Sequence, residues 1–166
     1  MTTLRRSIIV SVLFTLLGGP ALVLVLFPWF ITRFRLPGAE PTVPVVAGSL
    51  LIVVGLIPLF DSILRFIVVG RGTLMPAVPT EHLVVSGLYR YVRNPMYAGV
   101  ITALLGETWL FRSRHMLIYV AVVWILMHLF VCFYEEPTLA SRFPDDFPRF
   151  RQNVRRWIPR LTRWTP

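Results

Sequence analysis

The groups able to do chemistry gather at two points of the chain. Asn94-Pro95-Met96-Tyr97 opens an apolar run, with Arg90 and Arg93 just before it. Asparagine is a strong helix N-cap and proline suits the first helical position, so this is how a helix starts. A helix start also presents N–H groups and the positive end of the peptide dipole. With two arginines beside it, it can hold a carboxylate or phosphate. Glu135-Glu136 closes the last apolar run. These acids can be solvated, can face Arg90 or Arg93, or can bind a cationic ligand. His128 precedes Glu135 by seven residues, two helical turns, which puts both on one face. A lone histidine inside such a run is more often a packed contact than a catalyst, although ionisable groups within a membrane raise the claim to function. Asp61 and Arg65 are four apart and pair, with Arg65 reaching for the membrane boundary. Glu107 has no evident partner and no assigned role. Gly70-Arg71-Gly72 marks a loop, and no Walker loop, dinucleotide fingerprint, zinc spacing or serine elbow occurs. No metal site is expected.

The elements that position these groups are apolar. Of 166 residues, 55% are hydrophobic and 15% charged, against a usual ~45–50% and ~25%. A soluble domain of this length cannot hide so much apolar surface, so the chain reads as an integral membrane protein. Disorder and a disulfide-stapled secreted fold are excluded, and the lone Cys132 has no partner for a disulfide. Four spans are expected, at about 8–31, 43–69, 95–111 and 116–134. The first is too long for a cleavable signal core and reads as a retained anchor. The fold class is therefore all-α: a single membrane domain over 1–166 with four transmembrane helices and an amphipathic cytosolic tail over 135–166.

Charge sets the orientation. The chain has 17 basic and 8 acidic residues, and every basic residue is arginine. Four spans put both termini on one side. That side carries twelve arginines, against Arg33, Arg35, Arg112 and Arg114 on the other, so both termini are expected in the cytosol. The excess of positive charge suits anionic lipid headgroups rather than nucleic acid. The tail alternates arginine with Phe143, Phe147, Phe150, Trp157, Ile158 and Trp164, which suits segments lying on the headgroup layer.

The run from Ser86 to Gly99 (Ser-Gly-Leu-Tyr-Arg-Tyr-Val-Arg-Asn-Pro-Met-Tyr-Ala-Gly) resembles S-G-x-Y-R-Y-x-R-[HN]-P-x-Y-x-G. That segment marks the integral-membrane methyltransferases related to isoprenylcysteine carboxyl methyltransferase and phospholipid N-methyltransferase. Glu135-Glu136-Pro137-Thr138-Leu139 with Phe143, Phe147 and Phe150 is similar to the family's E-E-x-x-L…F-G-x-x-Y-x-x-Y, and Arg156-Trp157-Ile158-Pro159 to its R-W-[IL]-P ending. The resemblance covers roughly 79–160. Asn94 stands where histidine is common, Pro144 where glycine is usual, and Phe147 and Phe150 replace two tyrosines, keeping the ring and losing the hydroxyl.

This resemblance implies S-adenosylmethionine as cofactor, held without a Rossmann domain at the cytosolic ends of the last spans and by the C-terminal segment. It makes Tyr89, Arg93, Asn94, Tyr97, Gly99, Glu135 and Glu136 the cofactor-binding candidates. Arg90 and Glu135 are the catalytic candidates, Arg90 serving the acceptor or a contact with Glu135 or Glu136, and Glu135 acting as a modest base. The expected reaction is methyl transfer to a lipophilic acceptor entering from the bilayer, first of all carboxyl methylation of an isoprenylcysteine-like substrate. A phospholipid amine or a small thiol is the alternative acceptor. A reading from another class is a non-enzymatic membrane subunit on the same scaffold, which would bind no cofactor.

Overall fold

The computed structural model describes residues 19–36, 43–69 and 82–165. All its regular elements are helical, and no strand occurs among the described residues. Helix α1 (Leu22–Thr32) starts with a π-helical stretch over Leu22–Leu26. Helix α2 covers Val43–Val68 and helix α3 Pro95–Phe111, with a 3₁₀ turn at Gly87–Arg90 between them. Helix α4 runs continuously over Arg114–Arg142 and contains a π-helical stretch at Val131–Glu135. Helix α5 is Asp146–Asn153. Residues 8–18 of the first expected span, the loop after Leu36 and Gly70-Arg71-Gly72 lie outside the described residues.

Helices α2 and α3 form the tightest contact. Gly48 and Gly55 on α2 meet Gly106 and Gly99 on α3, each pair seven residues apart on its own helix. A Cβ on Gly55 would stand 2.5 Å from the Gly99 carbonyl oxygen, and one on Gly48 would stand 2.6 Å from that of Gly106. Only hydrogen at these positions lets the backbones approach so closely, as in helix pairs packed in lipid. Gly99, expected at the cofactor, lies in this contact against Gly55 and Pro58. The order of the contacts makes the two helices antiparallel.

Left-handed Arg112 stops α3, and the Ser113 side chain accepts from the Met116 amide (3.4 Å) to begin α4. The connection is therefore two residues long, shorter than the expected loop over 112–115. Leu59, Val100, Leu104, Met116, Val120 and Val123 fill the space between α2, α3 and α4. Tyr119 donates to the Val23 carbonyl (3.0 Å), which ties α1 to α4.

Two helices among the described residues, α2 and α4, are long and apolar enough to cross a membrane. Four were expected. The 17 residues of α3 reach only ~26 Å at 1.5 Å per residue, short of a ~30 Å hydrocarbon core. The outward faces are largely apolar, with Leu50, Ile57, Leu64 and Phe133 all exposed.

Gly55→Val is expected to destabilise the fold by about 1–3 kcal/mol, because the side chain forces α2 off α3. Ile57→Ala, on the exposed face, should change stability by less than about 0.5 kcal/mol. Thermal unfolding in detergent micelles measures both. Equal stability of the two variants would show that the glycine contact does not hold the helices together.

Candidate functional site

The site lies where α3 begins and the apolar part of α4 ends. The segment 82–94 lies over the end of α2 because Arg65 holds it there. The Arg65 Nε donates to Asp61 (2.8 Å), as the spacing of four predicts, and its Nη1 donates to the Ser86 hydroxyl (3.2 Å). Gly87 is left-handed (φ 54°) and faces the Arg65 guanidinium, leaving no room for a side chain. The following turn sends the Tyr89 ring against Phe66, edge to face with centroids 5.9 Å apart. Burial pushes the Tyr89 phenol up and keeps it neutral.

The C-terminal segment folds back over this loop and is not a free surface tail. Phe147 and Phe150 are buried with Val84, Tyr89 and Val154. The backbone ties the two segments along their length: Arg93 N–H donates to the Arg155 carbonyl (2.9 Å), Arg160 N–H to Tyr91 (2.9 Å) and Trp164 N–H to Arg90 (3.0 Å). Asn94 sits at the N-cap position but makes no side-chain cap; its amide donates to the Arg156 carbonyl (3.2 Å). Buried carbonyls need partners, and here the loop asparagine supplies one to the strap above it.

Glu136 joins the pieces. Its Oε1 accepts from Arg93 Nη1 (2.8 Å) and Arg156 Nε (2.7 Å), and its Oε2 accepts from Arg156 Nη2 (2.8 Å). The Arg156 contact is a bidentate fork, the strongest form of this pair. The hydrogen bond to Glu136 raises Arg156 above the usual arginine range, against the effect of burial, while burial lowers Arg93 despite Glu136. Both carboxylate oxygens of Glu136 are thus occupied by the protein itself. Arg93, whose side chain is nine-tenths buried, keeps one N–H, at Nε, without an acceptor.

Glu135 points elsewhere. The π-helical stretch adds about one residue to the turn, roughly 100° of rotation on the helix surface. The expected common face of His128 and Glu135 is thereby lost. Glu135 accepts from the Tyr97 hydroxyl (2.8 Å). The His128 Nδ1 accepts from the Trp157 indole N–H (3.1 Å), and its ring stacks on Trp124. His128 therefore anchors the strap to α4 as a packed contact.

Tyr89, Arg93, Asn94, Glu135 and Glu136 line one cavity of about 70 Å³, walled by Phe66, Leu83, Phe147 and Phe150. At about 30 Å³ per water that is room for about two waters. A wider cavity of about 530 Å³, lined by His82, Phe143, Asp146 and Trp164, opens beside it and shares Leu83. Tyr97 reaches the site through Glu135. Gly99 does not line either cavity, and neither does Arg90, whose Nε reaches the Val85 carbonyl (3.4 Å). It is Arg93, rather than Arg90, that meets Glu136. The pairing of Arg156 with Glu136 did not emerge from the sequence, where its signal was the Arg-Trp-Ile-Pro ending; for Phe147 and Phe150 the signal was the aromatic block after Glu135-Glu136.

The family model described as phospholipid methyltransferase matches residues 43–146. The match takes in α2, α3, α4 and the segment between α2 and α3, and ends before Phe147. No curated protein and no solved structure matches.

Glu136→Gln should leave Arg93 and Arg156 without a counter-charge and destabilise the fold by about 3–5 kcal/mol. The readouts are thermal unfolding in micelles and the rate at which protease removes the chain beyond Asn153. An unchanged melting point with an unchanged cleavage rate would show that this carboxylate does not hold the strap.

Proposed function

The chain belongs to the phospholipid methyltransferase family, whose model covers residues 43–146, and on that premise we propose that it transfers a methyl group from S-adenosylmethionine to a lipophilic acceptor at the cytosolic face of a membrane. The observation that carries the reading is the cavity that gathers Arg93 and Glu135. Arg93 lines the cavity, and a guanidinium there suits the carboxylate of an amino-acid moiety. Glu135 suits its ammonium group. The adjoining wider cavity offers room for the nucleoside part, since the first is too small for the whole molecule.

When bound, S-adenosylmethionine supplies a methyl group already activated on a sulfonium centre. The protein's part is then alignment and the exclusion of water. Tyr97 fixes the Glu135 carboxyl, while Tyr89, Phe147 and Phe150 form a dry wall. Glu136, saturated by arginines, holds Arg93 in place and acts as a positioning residue. The acceptor enters laterally from the bilayer, in keeping with the exposed apolar side chains on the outward faces of α2 and α4.

Two acceptor classes fit. An isoprenylcysteine-like carboxylate, the first expectation from the sequence, needs no base. A phospholipid amine is favoured by the family match and by Glu135, which can take the proton the amine must lose. Methyl transfer from labelled cofactor to each acceptor in lipid nanodiscs distinguishes them. Glu135→Gln should lower cofactor affinity roughly 10- to 150-fold, the loss of one charge-assisted hydrogen bond of about 1.5–3 kcal/mol. Under the amine reading it should also flatten the rise of rate with pH. Wild-type protein that neither binds the cofactor nor methylates either lipid would sink the proposal.

The proposed topology has four spans, over 8–31, 43–69, 95–111 and 116–134, with both termini in the cytosol. It rests on the arginine asymmetry. Reporter fusions at Gly38 and Ser113 should read as external, and fusions at Gly72 and Pro166 as cytosolic. A cytosolic reading at Gly38 would refute the four-span orientation.

A further inference from the structure

The strap over the candidate site carries apolar side chains that nothing among the described residues covers. Val154 is buried and Trp164 stacks on Phe150 (5.7 Å), but between them Leu161 is fully exposed and Ile158 is 61% exposed. The turn that bears them is not a loose end. Before it, the Arg155 carbonyl accepts from the Arg93 N–H (2.9 Å); after it, the Arg160 N–H donates to the Tyr91 carbonyl (2.9 Å) and the Arg160 Nη1 to that of Asn153 (2.8 Å). The depth of the turn points to what covers it. The Trp157 indole N–H donates to His128 (3.1 Å), and its ring lies 6.4 Å from that of Trp124. His128 and Trp124 precede Glu135 on α4 by seven and eleven residues, which is ~10 and ~16 Å along a helix at 1.5 Å per residue. Helix α4 is long and apolar enough to cross a membrane, and over this stretch it also exposes Leu129, Phe130 and Phe133. Trp157 thus reaches alongside the part of α4 that a bilayer would surround.

Backbone that meets lipid must have its polar groups partnered. The strap answers much of that demand: the carbonyls of Asn153, Arg155 and Arg156 accept, the amides of Arg160 and Trp164 donate, and Pro159 has no N–H. Arg155 and Arg163, both exposed, flank the apolar turn, as cationic side chains flank segments seated at the headgroup layer. We propose that the turn Trp157–Leu161 is a membrane anchor, with Ile158 and Leu161 among the acyl chains of the leaflet nearest the candidate site and Arg155 and Arg163 at the headgroups. Phe147 and Phe150, expected at the headgroup layer, face inward instead, and this turn takes their place. The inference rests on α4 crossing a membrane, as the proposed function does, and needs neither cofactor nor acceptor.

Cys132 is the one cysteine of the chain, so the full-length Cys132→Ser protein can carry a single label at Ile158→Cys, at Leu161→Cys or, on the exposed face of α2, at Ile57→Cys. Each variant bears the dye nitrobenzoxadiazole and is placed in nanodiscs of phosphatidylcholine and phosphatidylglycerol. Nitroxide-labelled acyl chains quench the dye from the lipid, and iodide quenches it from the water. The two strap labels should be quenched by nitroxide as the α2 label is, with a blue shift of emission and loss of iodide quenching relative to the free dye. Where circular dichroism shows either strap variant misfolded, Pro159→Cys, exposed between them, supplies the reading. Iodide quenching of the strap labels with the α2 label protected overturns the anchor and leaves the membrane reading standing. Iodide quenching of all three overturns both. Strap labels shielded from iodide yet untouched by nitroxide also overturn the anchor, because protein, from this chain or a second copy, then covers the turn.

Discussion

One carboxylate cannot stay buried alone, and the end of the bundle where α3 begins is arranged around that fact. Glu136 is almost wholly out of water, at 6% exposure. Its charge is tolerable there because three guanidinium N–H groups, from Arg93 and Arg156, point at it within 2.8 Å. Those two arginines come from opposite sides, one from the loop before α3 and the other from the C-terminal strap. Satisfying the charge therefore brings α4, the loop and the strap to a single point. A buried pair of this kind contributes little net energy over an apolar contact, but breaking one partner is severe. The arrangement works as a constraint on geometry more than as a source of stability.

The cavity follows from it. With Glu136 consumed, the neighbouring Glu135 is left for other work, and the π-helical stretch at Val131–Glu135 turns it toward Tyr97 and away from His128. Such stretches are uncommon and recur at functional positions. The same rotation leaves His128 to receive the Trp157 indole N–H, which pins the strap a second time. Two adjacent acids thus do different jobs, one holding the site together and the other facing into it.

The glycine contact between α2 and α3 supplies the rigid base. Because backbone meets backbone at Gly48–Gly106 and Gly55–Gly99, there are no long side chains in between to shift. The start of α3, and with it Asn94 and Tyr97, is therefore fixed relative to the end of α2, where Arg65 holds the loop. Position is transmitted from the interior of the bundle to the site through two helices that cannot slide.

Features set by local spacing can be read along the chain. The apolar runs, the Asp61–Arg65 pair at four residues, the helix start at Asn94-Pro95 and the family resemblance of Ser86–Gly99 were all legible, because each involves neighbours along one chain. Tertiary structure decided what depends on which surfaces meet. Nothing local says that Arg93 rather than Arg90 reaches Glu136, since both lie in the same loop and only the fold aims them. Gly99 looked like a cofactor residue from its motif, yet its missing side chain serves the approach of Gly55. Phe147 and Phe150 read as headgroup-facing because alternation with arginine is identical for a surface segment and for one folded over a cavity. A π-helical turn leaves no mark in hydrophobic periodicity, so the rotation that separates Glu135 from His128 was hidden. Spacing along the chain sets which groups are near each other on one helix; only the packing of distant segments against a buried charge sets which of them share a site.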